Sequence, residues 1–338
     1  MVNTITFGTK ADYSGEVRTL VTSETGSANS DIFKSIVEGK NSNTDYGLVP
    51  QIDLQDQSTG YFVLDSASRD KSLADLIIKL QNKKTLLSYA EKPKLGLTTG
   101  SNKIFIWEKA AVEAISMTDY ERSLFKPLIN GSSLTTVTEK DLPDSYVMYI
   151  DHAVDEKKIP NLLKWIKSQP AYEKLMKRRE VISGRIRSFE LWWPREQWIF
   201  ESKSTIYFQK REITPRFTLN TQGYYLKDDS YAITLNQTYR GYEKYTNVIL
   251  AVLNSTITHF WLVKLGRKKG KVLELYPEVL VTIPMPNVEL IKETDIIELD
   301  DAINSGRLLD VADRFAVKWF DLEMEDISIM NKYILDNQ

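Results

Sequence analysis

The sequence predicts an α+β protein with a strand-rich centre, helices flanking it and a helical C-terminal tail. Three observations predict this. Phe189–Leu235 is dense in aromatic and β-branched residues, broken by turn signals near Pro194, Asn220–Gly223 and Lys227–Ser230, which is the composition of short strands. Apolar residues recur at helical spacing in Leu73, Leu76, Ile77 and Leu80, and again in Leu162, Leu163, Trp165 and Ile166. Beyond the chain-breaking Pro284 and Pro286, Leu308–Leu335 is amphipathic over one or two helices' length.

In chain order, Asn3–Phe7 and Glu16–Ser23 read as strands around the turn-like Asp12–Gly15. Ser72 with Asp75 resembles a capping box opening the first helix. Strands are expected at Lys103–Trp107 and Tyr146–Ile150. Pro160 suits the first turn of a helix, Pro170 restarts it, and Tyr172–Ser183 continues helical. Thr246–Leu265 is apolar enough for one buried helix, with Val248, Val252, Ile257 and Phe260 in the core. No internal repeat or low-complexity segment interrupts this order. The expected parts are a β-rich segment over 1–65, a central domain over 66–286 and an acidic helical tail over 287–338.

Composition narrows the function. Of 338 residues, 42% are hydrophobic and 27% charged, as in a globular protein. There is no Cys, and the two histidines are His152 and His259. Disulfides, thiolate metal sites and Cys nucleophiles are therefore excluded, and a His-rich metal site is disfavoured. No apolar run is long enough to span a bilayer and no signal-like segment opens the chain, so a cytoplasmic protein with no membrane partner is expected. The net charge of −2 conceals an asymmetry. Lys174–Arg216 holds eleven basic residues against five acidic, and Gly266–Lys271 reads GRKKGK. Past Pro286 acids predominate. Such local excess suits phosphate binding in the middle of the chain, against the plainer reading of a solvated surface.

Catalytic motifs are absent. No Gly-rich phosphate loop occurs, and neither does a Pro-Pro dipeptide, so the N-P-P-Y motif of adenine methyltransferases is missing. Two distant histidines do not suit a Ser-His-Asp arrangement. Glu201-Ser202-Lys203 matches the E-x-K half of a nuclease metal site, a three-residue pattern common by chance.

Other residue groups suit DNA contact. Gly96 and Gly100 permit a tight turn and close backbone approach. Thr98, Thr99, Ser101, Asn102 and Lys103 between and beyond them offer small donors and a charge. Arg185, Arg187, Arg195, Gln197, Lys203, Gln209, Lys210 and Arg211 are interleaved with strand-forming aromatics, which would present long polar readers on a stiff β surface. Arg267, Lys268, Lys269 and Lys271 form a candidate phosphate clamp. The opposing reading is that Trp192, Trp193, Trp198, Tyr207 and Phe208 are core and that their neighbours are solvated.

Several segments, taken in order, carry a family resemblance. GLTTGSNKIFI within Ala90–Trp107, LFKPLINGSSL at Leu124–Leu134, LLKWIKSQPAYEKLMKRREV at Leu162–Val181, the Trp192–Leu235 stretch, and NVILAVLNS…YPEVLVTIPMP within Asn247–Pro286 resemble the target-recognition region of TaqI-like adenine methyltransferases and their fused type II (IIG) restriction–modification relatives. Asn130 stands where Arg is common in that family. NTITFGTK and GEVRTLVTS resemble the last strands of the family's methyltransferase domain, whose core this chain lacks. The resemblance implies a non-catalytic module that binds double-stranded DNA. It also implies a methyltransferase or endonuclease domain or subunit outside this chain, which would bind S-adenosylmethionine, with Mg²⁺ as a second candidate cofactor, and methylate adenine N6. The same module in another phage-defence complex, a metal-dependent nuclease at Glu201 and Lys203, and a carbohydrate or peptide binder rich in Trp and Tyr are the alternatives.

Overall fold

The computed structural model describes residues 16–22, 30–40, 44–50, 71–131, 134, 145–182 and 189–337. The expected strand at Asn3–Phe7, and Arg185 and Arg187, lie outside them. The chain divides into two compact units, Met1–Asn82 and Lys83–Gln338. In the first, the strand Glu16–Thr22 pairs antiparallel with Thr44–Pro50, with the helix Ser30–Val37 between them in sequence. The helix Lys71–Gln81 buries Leu73, Leu76, Ile77 and Leu80, the stripe that its spacing predicts. It begins one residue before Ser72, which is thus inside the helix and not its cap.

The second unit is built on two four-stranded sheets. One carries Phe217–Asn220, Thr205–Gln209, Ser230–Ile233 and Lys94–Leu95 side by side, all antiparallel. The other carries Tyr225–Leu226, Phe125–Ile129, Ser145–Met148 and Ile106–Glu108, with the first pair parallel. The segment 217–233 stitches them together. It leaves the first sheet at Asn220, contributes Tyr225–Leu226 to the second, and returns at Ser230. Buried Asn220 holds that turn. Its Nδ2 donates to the Phe200 carbonyl at 2.6 Å, and its Oδ1 accepts from the Tyr224 backbone N–H at 2.9 Å. Gly223 supplies the left-handed step, at φ +73°.

Thr205–Gln209 alternates like a strand with two dry faces. Tyr207 joins the core shared with Leu128, Val147 and Tyr225, while Phe208 stacks among Phe217 and Tyr231. Tyr207 and Phe208 are thus core, as the plainer reading held, and no exposed β surface lies along this strand. Its long polar residues emerge only at the end.

Three local expectations need correction. Lys103–Phe105 is not strand: Asn102–Phe105 forms one helical turn, burying the adjacent Ile104 and Phe105, and the strand is Ile106–Glu108. Gln197–Glu201, expected within a strand region, is a short helix. The apolar stretch at 246–265 is two helices, Glu243–Leu253 and Thr256–Leu265, bent by 61°. The bend has a specific cause. Asn254 turns its amide onto a strand edge, donating to the Phe217 carbonyl at 2.9 Å and accepting from the Phe217 N–H at 3.1 Å. Asp313 then caps the second helix through the Thr256 N–H at 2.6 Å and hydroxyl at 2.7 Å. An Asn and a Ser at the break compete with the helical ladder for backbone groups.

Glu293–Asn304, Leu308–Phe320 and Met324–Asn337 pack on this bent pair. The Phe260 and Tyr333 rings meet at 5.2 Å, and the buried Asp295 carboxylate accepts from Lys318 at 2.6 Å and Trp319 at 3.2 Å. The helix at Glu293–Asn304 lies within the expected helical tail, ahead of the amphipathic stretch at 308–335. Among the described residues, no single helix is long and apolar enough to cross a membrane.

Candidate nucleic-acid interface

The clearest concavity forms around the glycine-bounded loop. Gly96 is required there: a Cβ would stand 2.1 Å from the Lys227 carbonyl oxygen. That close approach lets the Leu97 N–H reach the Leu226 carbonyl at 2.8 Å. Thr98 and Trp193 exchange paired backbone hydrogen bonds at 2.9 Å. Thr99 is buried and donates its hydroxyl to Asn102 Oδ1 at 2.6 Å, which orients that amide and leaves its Nδ2 to donate elsewhere. Gly100 takes φ +78°, and a Cβ on it would press Trp192 at 3.3 Å. The loop is therefore fixed by its neighbours.

A cleft of about 750 Å³ opens on this loop. It is also lined by Pro170 and Ala171, at the break between Pro160–Ser168 and Tyr172–Ile182, and by Lys174 and Leu175 of the second helix. Trp192 and Asp228 complete it. Thr98, Thr99, Ser101, Asn102 and Lys103 all line it. Lys103 and Lys174 are exposed and lack an acidic partner among the described residues. Lys174 belongs to the basic stretch visible in the sequence, but only the fold brings it to one cleft with Lys103.

The second basic group is a hairpin, not a loose loop. Arg267–Lys269 and Val272–Glu274 pair antiparallel around Gly270, at φ +63°, and Arg211–Glu212 adds a third strand. Register aligns Arg267, Glu274 and Arg211, so these three share a face with Lys269. Leu273 is buried on the other face. Arg211 pairs with Glu274 at 3.0 Å, and the Arg267 guanidinium lies 5.7 Å from the Tyr276 ring. Lys268 donates to the Asn337 carbonyl. Lys269 and Lys271 are exposed without an acidic partner among the described residues. Lys210 ties this sheet to the cleft: its N–H donates to the Asp229 carbonyl at 3.1 Å, next to Asp228 in the cleft wall.

The remaining candidates are placed differently. Arg195 adopts φ +62°, unusual for a residue with a Cβ. Tyr149 holds it there by donating to its carbonyl at 2.7 Å, while Arg195 Nε donates to the Gly96 carbonyl at 3.4 Å. Gln197 donates to Glu201 at 2.8 Å. Gln209 is half-buried at its strand's end. Lys203 stands apart, at a separate pocket of about 270 Å³ with Glu243 and Asp300.

Glu201 ends a helix and is engaged by Tyr225 at 3.0 Å and Lys126 at 3.6 Å. Among the described residues, no group of three His, Asp or Glu could hold a metal ion. His259 lies in the second helix of the bent pair, where burial and the nearby Lys268 charge push its pKa below the usual value. Trp193, core on the plainer reading, is 54% exposed and stacked on Trp192 at 5.8 Å.

Residues 66–316 match the family model described as the C-terminal domain of the type II methyltransferase M.Eco57I. The chain belongs to this family. The cleft, the basic hairpin and both four-stranded sheets fall within the M.Eco57I C-terminal-domain match. The match extends past Pro286 to include the helix Glu293–Asn304 and most of Leu308–Phe320. Among solved structures, the type IIL restriction–modification enzyme MmeI in complex with DNA is similar over 73% of this chain, at 12% identity and a TM-score of 0.43. This chain corresponds to 32% of that one. No curated protein sequence matches the chain.

Proposed function

We propose that this chain recognises a DNA sequence as the specificity module of a restriction–modification system. A methyltransferase domain or subunit outside this chain would bind S-adenosylmethionine and methylate adenine N6, with Mg²⁺ serving any associated endonuclease. The observation that supports this reading best is that a chain of the methyltransferase C-terminal-domain family carries two basic groups, one lining a cleft and one on a hairpin. Lys103 and Lys174 belong to the cleft, and Lys269 and Lys271 to the hairpin. None has an acidic partner among the described residues, so their charge is available to phosphates. Arg267 stands on the same sheet, where Arg211 is held by Glu274, and Tyr149 pins the Arg195 backbone. Rigid donors of this kind suit base edges, while the lysines set register on the backbone.

The test is selection of bound duplexes from a random pool, with and without the partner methyltransferase. A recurrent motif is expected. Binding should also weaken steeply with salt, as counterion release demands. Enrichment of no motif under either condition would sink the proposal.

A further inference from the structure

The cleft at Thr98–Lys103 is built for more than a backbone phosphate. A phosphate needs donors and cations at an open surface, and this cleft adds an aromatic plane and apolar walls. Trp192 forms the plane, stiffened by Trp193 stacked behind it at 5.8 Å with the rings 13° from parallel. Pro170, Ala171 and Leu175 form the apolar side. Lys103 and Lys174 stand on separate elements and have no acidic partner among the described residues. About 750 Å³ lies within the size range of small-molecule sites, roughly 300–1,000 Å³.

We propose that this cleft takes a single unpaired nucleotide of DNA, its base against Trp192 and its phosphate between Lys103 and Lys174. The inference rests on the DNA-recognition reading above and names what one part of that surface accepts. A nucleotide is the ligand that combines a flat apolar face, a polar edge and an adjacent anion. The polar edge finds two partners. The Asn102 amide, oriented by Thr99 at 2.6 Å, offers an N–H, and the Asp228 carboxylate accepts from a base amino group. Asp228 would repel a bare phosphate, so its presence favours the base end of the ligand on that wall. Stacking on an aromatic side chain tolerates any base, because every base has a π face.

The full 338-residue chain is tested against three probes. These are a paired duplex, the same duplex with one unpaired adenine, and free deoxyadenosine monophosphate as competitor. The unpaired-adenine duplex is expected to bind about tenfold more tightly than the paired one, the scale of one base–aromatic stack. Trp192→Ala, and separately the double variant Lys103→Glu with Lys174→Glu, should bring that ratio close to one. Both lysines are exposed, so the double variant keeps the fold, which an unchanged thermal midpoint would show. If the paired duplex binds and the ratio is already one, the inference fails while the proposed function stands. A ratio that survives in both variants places the preference elsewhere and equally overturns it. Competition by the free nucleotide as effective as that of the duplex overturns DNA as the source. Binding to no duplex at all would remove the proposed function itself.

Discussion

Single side chains explain several features that look arbitrary in the sequence. Glu121 is 0% exposed, yet it is charged. Its oxygens accept from the Thr118 N–H at 2.8 Å, the Asn161 N–H at 2.7 Å and the Leu162 N–H at 3.0 Å, joining two helix starts. Burial alone would raise its pKa, but these hydrogen bonds outweigh it and hold the carboxyl below its ordinary value. Its stabilisation is therefore complete above the unfolded pKa near 4.3 and disappears as pH falls through the lower, folded value. Glu121→Gln should cost about 2–4 kcal/mol at pH 7, because an amide NH₂ then faces backbone donors. Urea titration from pH 7 to 3 should show the variant losing less stability than the parent over the acid limb; parallel curves would refute this account. Gly96→Ala is expected to cost about 2–4 kcal/mol in the same assay, since the new methyl meets backbone with no room to move. Gly96 stands out in the sequence as a place for close backbone approach, whereas Glu121 does not. An acidic residue three after Thr118 reads as an ordinary capping box, and its second set of partners lies forty residues away.

At the scale of elements, patterning was legible wherever one element's own residues decide the outcome. Lys71–Gln81, Pro160–Ser168 and Tyr172–Ile182 form where spacing and Pro placement predict them. The bend after Leu253 is different, because it depends on Asn254 finding Phe217 on a distant strand and on Asp313 reaching Thr256. Asn254→Ala should cost about 1–3 kcal/mol by denaturant unfolding, leaving Phe217 backbone groups unpaired. An unchanged midpoint would show that apolar packing, not the amide, sets the bend. The hairpin Arg267–Glu274 carries the element-level prediction for binding. Lys269→Ala and Lys271→Ala should each lower the slope of log affinity against log salt by about 0.9 while leaving the selected sequence unaltered. A changed motif would make them base readers instead.

For the whole molecule, the sheets and the C-terminal helices share one compact unit. The bent pair buries Val248, Leu250, Val252 and Phe260, with the last three helices packed on it. Ending the chain at Pro286 should uncover that surface. The shortened protein is expected to bind a hydrophobic dye and to lose cooperative unfolding. A sharp transition like that of the full chain would mean that these helices are accessory. Acidic composition delimits this region in the sequence but says nothing of its packing, because charge is counted along the chain and packing is not.

Local physics was readable from the amino-acid order: helix spacing, turn residues, the α+β class, the glycine-bounded loop and the basic segments that the family resemblance ties together. Those follow from preferences acting over a few neighbouring residues. Partnership needed three dimensions. Leu95 beside Tyr231, Arg211 beside Glu274, and Lys174 in one cleft with Lys103 join distant segments. Each depends on how the whole unit packs, a many-body condition that no stretch of sequence contains.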